Sequence, residues 1–218
     1  MIKIKDLAFA YKEGDFSLKI PELELPQNKA IAIVGPSGSG KSTLMKIIAG
    51  EIATQGGSIT VNEQEINNFS DSQRRHFRLN QIGMILQDSA LLEYLNLQDN
   101  ICLAAKLQNK KYDAERLKKI TESCGIAKLM NKKPAFASEG EKQRAAICRA
   151  LLTNPEIILA DEPTSSLDRQ NSLAATGLLI EQCKEHETTL VMITHDDSQL
   201  EFFDEVIDIT KINGASHA

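Results

Sequence analysis

The strongest chemical signal in the chain is one unbroken stretch, Gly35-Pro36-Ser37-Gly38-Ser39-Gly40-Lys41-Ser42. It fits the pattern of a glycine, four variable residues and then Gly-Lys-Ser/Thr, in which the backbone curls until its N–H groups converge on an anion. In such a loop Lys41 reaches the outer phosphates of a nucleotide and the Ser42 hydroxyl is a hard oxygen ligand for Mg²⁺, with Thr43 next in line. A glycine-rich turn that happens to hold a lysine is the bland alternative. The flanks argue against it, because the apolar run Ala30–Val34 precedes the loop and Leu44, Ile47 and Ile48 follow on one helical face until Gly50. A second signal lies downstream, where Ile157-Ile158-Leu159-Ala160 runs into Asp161-Glu162. Acids at the end of a parallel strand face the crevice where ligands bind. Asp161 is placed to hold Mg²⁺ through its water shell, and Glu162 to polarise an attacking water as a general base. Many strands end in solvated carboxylates, so this pair takes its meaning from the phosphate loop beside it.

These residues need a scaffold, and the hydrophobic pattern predicts one. Short apolar runs at Ala30–Val34, Ile82–Leu86, Ile157–Ala160, Leu190–Ile193 and Val206–Ile209 read as buried parallel strands with helical patterns between several of them. Ile2/Ile4, Phe16/Leu18/Ile20 and Ile59/Val61 alternate with polar neighbours, as antiparallel strands with one wet face do. From Leu97 to Thr153 the pattern is mainly helical; Ala114, Leu117, Ile120 and Cys124 recur at helical spacing, and Asn96 followed by Asp99 predicts a helix cap. The predicted fold class is α/β: a P-loop NTPase core with a mostly parallel sheet, an N-terminal antiparallel β sub-domain and an inserted helical sub-domain. We expect one domain over 1–218, with the core and β sub-domain at about 1–87 and 154–218 and the helical sub-domain at about 88–153.

Bulk properties remove several classes. A net charge of −5 over 218 residues gives no general footprint for nucleic acid, and no nucleic-acid partner is expected. Arg74, Arg75, His76 and Arg78 cluster locally, as a basic patch or as a solvated helix face. No apolar run approaches the ~18 residues that span a bilayer. The start, Met1-Ile2-Lys3-Ile4-Lys5, alternates like a strand and lacks a signal-peptide core. Cys102, Cys124, Cys148 and Cys183 show no metal-ligand spacing and read as reduced residues of a cytosolic protein. A soluble chain is expected, one that meets a membrane only through a partner.

Among phosphate-loop proteins, GTPases need Asn-Lys-x-Asp; the nearest stretch here, Asn131-Lys132-Lys133-Pro134, lacks the aspartate. Nucleotide kinases need an arginine-rich lid, and none is convincing. The deciding stretch is Ala137-Ser138-Glu139-Gly140-Glu141-Lys142-Gln143-Arg144, followed by Ala145-Ala146-Ile147-Cys148-Arg149-Ala150-Leu151. It resembles the signature loop and helix of the ATP-binding cassette (ABC) ATPases, usually Leu-Ser-Gly-Gly-Gln. Other elements then fall in that family's order. Gln87 matches the Q-loop glutamine that joins the Mg²⁺ site, Asp168 the D-loop aspartate, and His195 the switch histidine at the γ-phosphate. Tyr11 matches the aromatic that stacks on adenine. Taken alone, Tyr11 reads more readily as packing than as a base platform, and His195 as a satisfied structural histidine. The resemblance runs from about Leu7 to about Asp208 and implies ATP and Mg²⁺ as cofactors. It also implies a homodimer in the ATP-bound state, in which Ser138, Glu139, Gly140 and Glu141 act on the other subunit's nucleotide.

The signature departs from the family pattern at Ala137 and Glu139, while Ser138 and Gly140 are kept. Glu139 turned inward sets a negative charge beside phosphate oxygens and slows turnover; turned outward it is harmless. Arg74 to Gly83, then Gln87 and Leu91-Leu92 to Leu97, resemble the lipoprotein-release, macrolide-export and cell-division cassettes (LolD/MacB/FtsE type). That resemblance implies a separate transmembrane permease and a place on the inner face of the membrane, with no insertion of this chain. Leu91, Leu92, Tyr94 and Leu95 are candidates for the permease groove or for sub-domain core. The sequence ends soon after the last expected strand, so little room is expected for a C-terminal regulatory domain. DNA-repair cassettes need long coiled-coil insertions and translation factors carry two cassettes; neither feature is present. A cassette that gates a membrane partner without moving a solute stays open as the alternative to a transporter motor.

Overall fold

The computed structural model describes residues 1–12 and 16–214, so the last four residues of the expected 1–218 domain lie outside the described residues. Two sheets form its frame. In the first, β1 (Ile2–Ala10) lies between β2 (Ser17–Leu25) and β4 (Gly56–Val61), all antiparallel, with the short β5 (Gln64–Glu65) at one edge. The register sets Ile2 opposite Leu25 and Ile4 opposite Ile59, so one face is wholly apolar and the other wet. The expected antiparallel layer is therefore present with the expected inward residues except Phe16, which precedes β2 and sets its ring by Gly40 and Tyr11.

The second sheet is parallel throughout, in the order β6 (Ile82–Ile85), β7 (Ile157–Asp161), β8 (Thr189–Ile193), β3 (Ala30–Val34), β9 (Glu205–Asp208). Its central strands are buried on both faces, which is why they read as continuous apolar runs. Two expected boundaries move. β6 stops at Ile85 because Leu86 begins a turn, its carbonyl accepting from Ser89 N–H at 3.0 Å. β9 stops at Asp208, whose carboxylate accepts from Thr210 N–H at 3.0 Å and caps a one-turn helix, α8 (Ile209–Ile212).

Helices cover both faces. α1 (Lys41–Ile48) is sandwiched between the sheets and buries Leu44, Met45, Ile47 and Ile48 in a cluster that joins them. α2 (Asp71–Gln81) starts on a Ser70/Gln73 capping box. Of its basic cluster, Arg74 pairs with Asp71 within α2 and Arg78 fastens the helix to the end of α1 by donating to the Gly50 carbonyl at 3.0 Å, while Arg75 and His76 face solvent.

The other face carries α3 (Leu97–Ile101), α4 (Leu103–Leu107), α5 (Ala114–Ser123), α6 (Glu139–Leu152) and α7 (Arg169–Glu185). Asn96 caps α3 by accepting from Asp99 N–H at 2.7 Å, as the sequence predicts. These helices share one apolar cluster with the parallel sheet, since Ile101, Ile120, Ala146 and Ile147 join Ile85, Ile158, Leu190 and Met192. Among the described residues no helix is long and apolar enough to cross a membrane.

Candidate active site

The phosphate loop joins β3 to α1 and takes its shape from two contacts a side chain would destroy. Gly35 has φ 146°, and a Cβ there would lie 2.8 Å from Ile209 Cγ2; Gly40 has φ 99°, and its Cβ would lie 2.8 Å from Phe16 Cζ. Only glycine takes such a backbone with a neighbour pressed so close. Lys41 is nearly buried, and its ammonium donates to the carbonyls of Gly35 and Pro36, both at 2.8 Å, which holds it across the loop. Inside the same loop Ser39 Oγ is buried with no hydrogen-bond partner among the described residues.

Ser42 Oγ donates to Asp161 Oδ1 at 3.2 Å, so the two oxygens expected to share a cation already meet, although β7 and α1 are far apart in sequence. Burial holds the Asp161 carboxyl above the usual carboxylate range and the charge of Glu162 adds to this, while the Ser42 hydrogen bond, Lys46 and Lys41 oppose it.

Glu162 follows in a left-handed conformation, φ 45°, uncommon for a residue with a side chain. Its N–H donates to the Ile193 carbonyl at 3.1 Å, bridging the ends of β7 and β8. That turn brings Glu162 Oε1 to 3.3 Å from Nδ1 of His195, which is largely exposed. Strain of this kind, held by surrounding hydrogen bonds, is common where a side chain must be aimed.

A cleft of about 230 Å³ is lined by Tyr11, Phe16, the phosphate loop and Glu162. Tyr11 is 43% exposed, and its hydroxyl lies 3.2 Å from Thr43 Oγ1. Its ring meets Phe9 edge-on at 4.9 Å and Phe16 at 5.8 Å. Phe16 therefore belongs to the cleft, a role its position in an alternating strand pattern concealed. A neighbouring cavity of about 720 Å³ brings Gln87 together with Asp161, Lys46 and Ser166. Gln87 is exposed, and its side chain makes no hydrogen bond among the described residues.

Of the signature residues, only Glu139 lines one of these two cavities. Ser138 is the N-cap of α6 in a full capping box: its hydroxyl accepts from Glu141 N–H at 3.3 Å and its own N–H donates to Glu141 Oε2 at 2.8 Å. Lys132 lies 2.8 Å from the same carboxylate, and this contact, with the Ser138 N–H, holds Glu141 below its usual range. Glu141 is thus occupied in starting the helix. Glu139 is exposed, pairs with Lys142 at 3.0 Å, and lines the cavity of Gln87 and Asp161. Ser138, Gly140 and Glu141 are absent from the Tyr11–Glu162 cleft. Asp168 caps α7 by accepting from the N–H groups of Gln170 and Asn171, both at 3.1 Å.

Of the apolar residues past Gln87, Leu91 packs on the helical cluster, both backbone groups of Leu92 bond the Asn100 side chain, and Tyr94 is 72% exposed. A groove of about 460 Å³ opens instead between α2, β6, α4 and α6, lined by Arg75, Leu79, Met84, Leu103, Leu107 and Arg149 among others. Arg149 is fixed there by donating to the carbonyls of Ser89 and Ala90 at 2.7 and 2.6 Å. Sequence alone could not have found this groove, because its walls come from three separate segments.

A phosphate loop after a central parallel strand, with a Ser–Asp oxygen pair and a Glu–His pair at the ends of the next strands, defines a nucleoside triphosphate hydrolase of the P-loop class. Residues 18–165 match the family model described as ABC transporter, and the chain belongs to that family. It is 35% identical over 201 residues to the ABC transporter ATP-binding protein YbbA of Escherichia coli (strain K12), covering 90% of this chain and 88% of that one. It is 34% identical over 203 residues to the lipoprotein-releasing system ATP-binding protein LolD of Hydrogenovibrio crunogenus (strain DSM 25203 / XCL-2), covering 90% and 87%. Among solved structures it resembles the dimeric post-hydrolysis state of the ATP-binding cassette MJ0796 bound to ADP and Pi, with TM-score 0.83, 29% identity and coverage of 96% and 95%. The chain is an ATP-binding, ATP-hydrolysing cassette.

Proposed function

We propose that this cassette closes head-to-tail with a second copy around two MgATP and thereby drives a separate transmembrane permease from the cytoplasmic side. The observation that carries the proposal is the split site: Lys41, Asp161, Glu162 and His195 converge, while Ser138 and Gly140 lie at a capped helix start outside the Tyr11–Glu162 cleft. The complementary half must come from another subunit. The dimeric state of MJ0796, a structural relative, supports this reading.

Mg²⁺ fits the residues present. Ser42 and Asp161 are hard oxygen donors 3.2 Å apart. Among the described residues no group of three or more His, Cys, Asp or Glu could hold a metal alone, which suits an ion bound mainly by phosphate and water oxygens. When bound, Mg²⁺ neutralises charge developing on the β- and γ-phosphates.

The chain's own groups supply the rest. Lys41 leaves the Gly35 and Pro36 carbonyls for phosphate oxygens, and Tyr11, with Phe16 behind it, offers its exposed ring to the base. Glu162 takes a proton from the attacking water, and His195, 3.3 Å away, orients that carboxylate and faces the γ-phosphate. Ser138 and Gly140 of the other subunit cap the phosphate from α6's positive end.

The permease docks in the groove between α2, β6, α4 and α6. Its apolar floor of Leu79, Met84 and Leu103 suits a short amphipathic helix, and Arg75 and Arg149 at its walls suit an acidic residue on that helix. The test is to purify the membrane partner with the cassette and reconstitute both in vesicles. ATP-dependent solute movement is expected; ATP hydrolysis with gating and no movement would replace the transporter reading by a regulatory one.

A further inference from the structure

We infer that Gln199 is a positioning residue for hydrolysis, a buried amide that locks the segments carrying Glu162, Asp168 and His195 into one unit. It sits in the 3-10 turn Asp197–Phe202 after β8 and is only 1% exposed. Its Oε1 accepts from Thr194 Oγ1 at 3.0 Å, and Thr194 directly precedes His195. Its Nε2 donates to Ser172 Oγ at 2.6 Å and to Thr164 Oγ1 at 3.1 Å, with Asp196 Oδ2 further off at 3.3 Å. Thr164 lies just past Glu162, and Ser172 lies in the first turn of α7, which Asp168 caps. The Thr194 hydroxyl also accepts from Asp196 N–H at 3.1 Å, so it is committed in both senses.

A buried amide bonded at both ends is expensive to misplace, since a shift of one segment leaves a hydroxyl or an amide edge poorly paired. Thr164, Ser172 and Thr194 are themselves each less than a tenth exposed, so these hydroxyls have little contact with water. The network lines the wall of a cavity of about 400 Å³ that also receives Glu162 and His195. The left-handed turn at Glu162 is thereby held from behind, and movement of α7's start is transmitted to the loop of His195. The inference rests on the ATPase reading of the site; failure of that reading would leave the parent chain itself inactive, whereas failure of this one would leave a variant unimpaired.

The test uses the full chain and Gln199→Met, which keeps the volume and removes both ends of the amide, alongside Ser172→Ala and the double variant. Q199M is expected to lower kcat about tenfold through misaligned groups while the Kd for ATP stays within about twofold. The double variant should be no slower than Q199M, because both changes break one network. The isosteric Thr194→Val removes the other end and carries the same prediction if Q199M does not fold. A kcat within about twofold of the parent, or a kcat that falls only in step with ATP affinity and melting temperature, would overturn the inference.

Discussion

Asp161 shows how a single residue is set against stability for the sake of a ligand. Burial, then the charge of Glu162, raises its pKa above the ordinary carboxylate value. The folded chain therefore holds this proton more tightly than the unfolded chain does. The group's contribution is favourable at low pH and is lost as pH rises from the ordinary carboxylate pKa through the raised one. At neutral pH a half-buried charge remains that Ser42, Lys46 and Lys41 relieve only in part and that a bound cation would relieve further. Asp161→Asn is expected to melt higher than the parent at neutral pH without nucleotide, with the gap closing at acid pH, and to lose the melting-temperature gain given by MgATP. Thermal unfolding at the two pH values checks both parts. Glu139 poses the opposite question: its pairing with Lys142 leaves it exposed, yet it lines the cavity of Asp161. Glu139→Gly is expected to raise the ATPase rate a few-fold; an unchanged rate and unchanged ATP-dependent dimerisation would mean the carboxylate is harmless where it stands.

At the scale of elements, two helices begin in the same way for different ends. Ser70 and Ser138 both form capping boxes, with Gln73 and Glu141. Replacing either by alanine is expected to cost about 1 kcal/mol of stability. Ser70→Ala should stop there, whereas Ser138→Ala should also lower kcat, because in the proposed dimer its hydroxyl caps the other subunit's phosphate. Unfolding curves beside steady-state rates separate the two costs. Elements were also where legibility in the sequence varied most. The loop Gly35–Ser42 and the strand into Asp161-Glu162 are local patterns, and buried strands announce themselves as apolar runs. Leu86 and Ile209 were read as strand because they extend such runs. Leu86 instead enters a turn, and Ile209 starts α8, where its buried side chain supports Gly35. Phe16 was concealed by its alternating neighbours, and Gln199 could not be read at all, since its partners Thr164 and Ser172 lie 35 and 27 residues away.

For the whole molecule the parts agree on one consequence. The two sheets and α1 bring Lys41, Ser42, Asp161, Glu162 and His195 to one end of the parallel strands, while α6 presents Ser138 and Gly140 apart from the cleft. In the proposed scheme, half a site on each chain makes ATP the glue of a dimer and hydrolysis its release. The groove proposed for the permease shares α6 with the signature loop, and Arg149 on that helix holds the Ser89 and Ala90 carbonyls just past Gln87. In the proposed scheme one helix thus serves the nucleotide of the partner subunit at its start and the membrane partner near its end. The most direct measurement is the mass of the Glu162→Gln variant in solution, by size-exclusion chromatography with light scattering at saturating MgATP. The variant keeps every binding group but cannot take the proton from water, so a stable dimer is expected with MgATP and a monomer without it. A monomer at saturating MgATP, with nucleotide bound, would contradict the shared site.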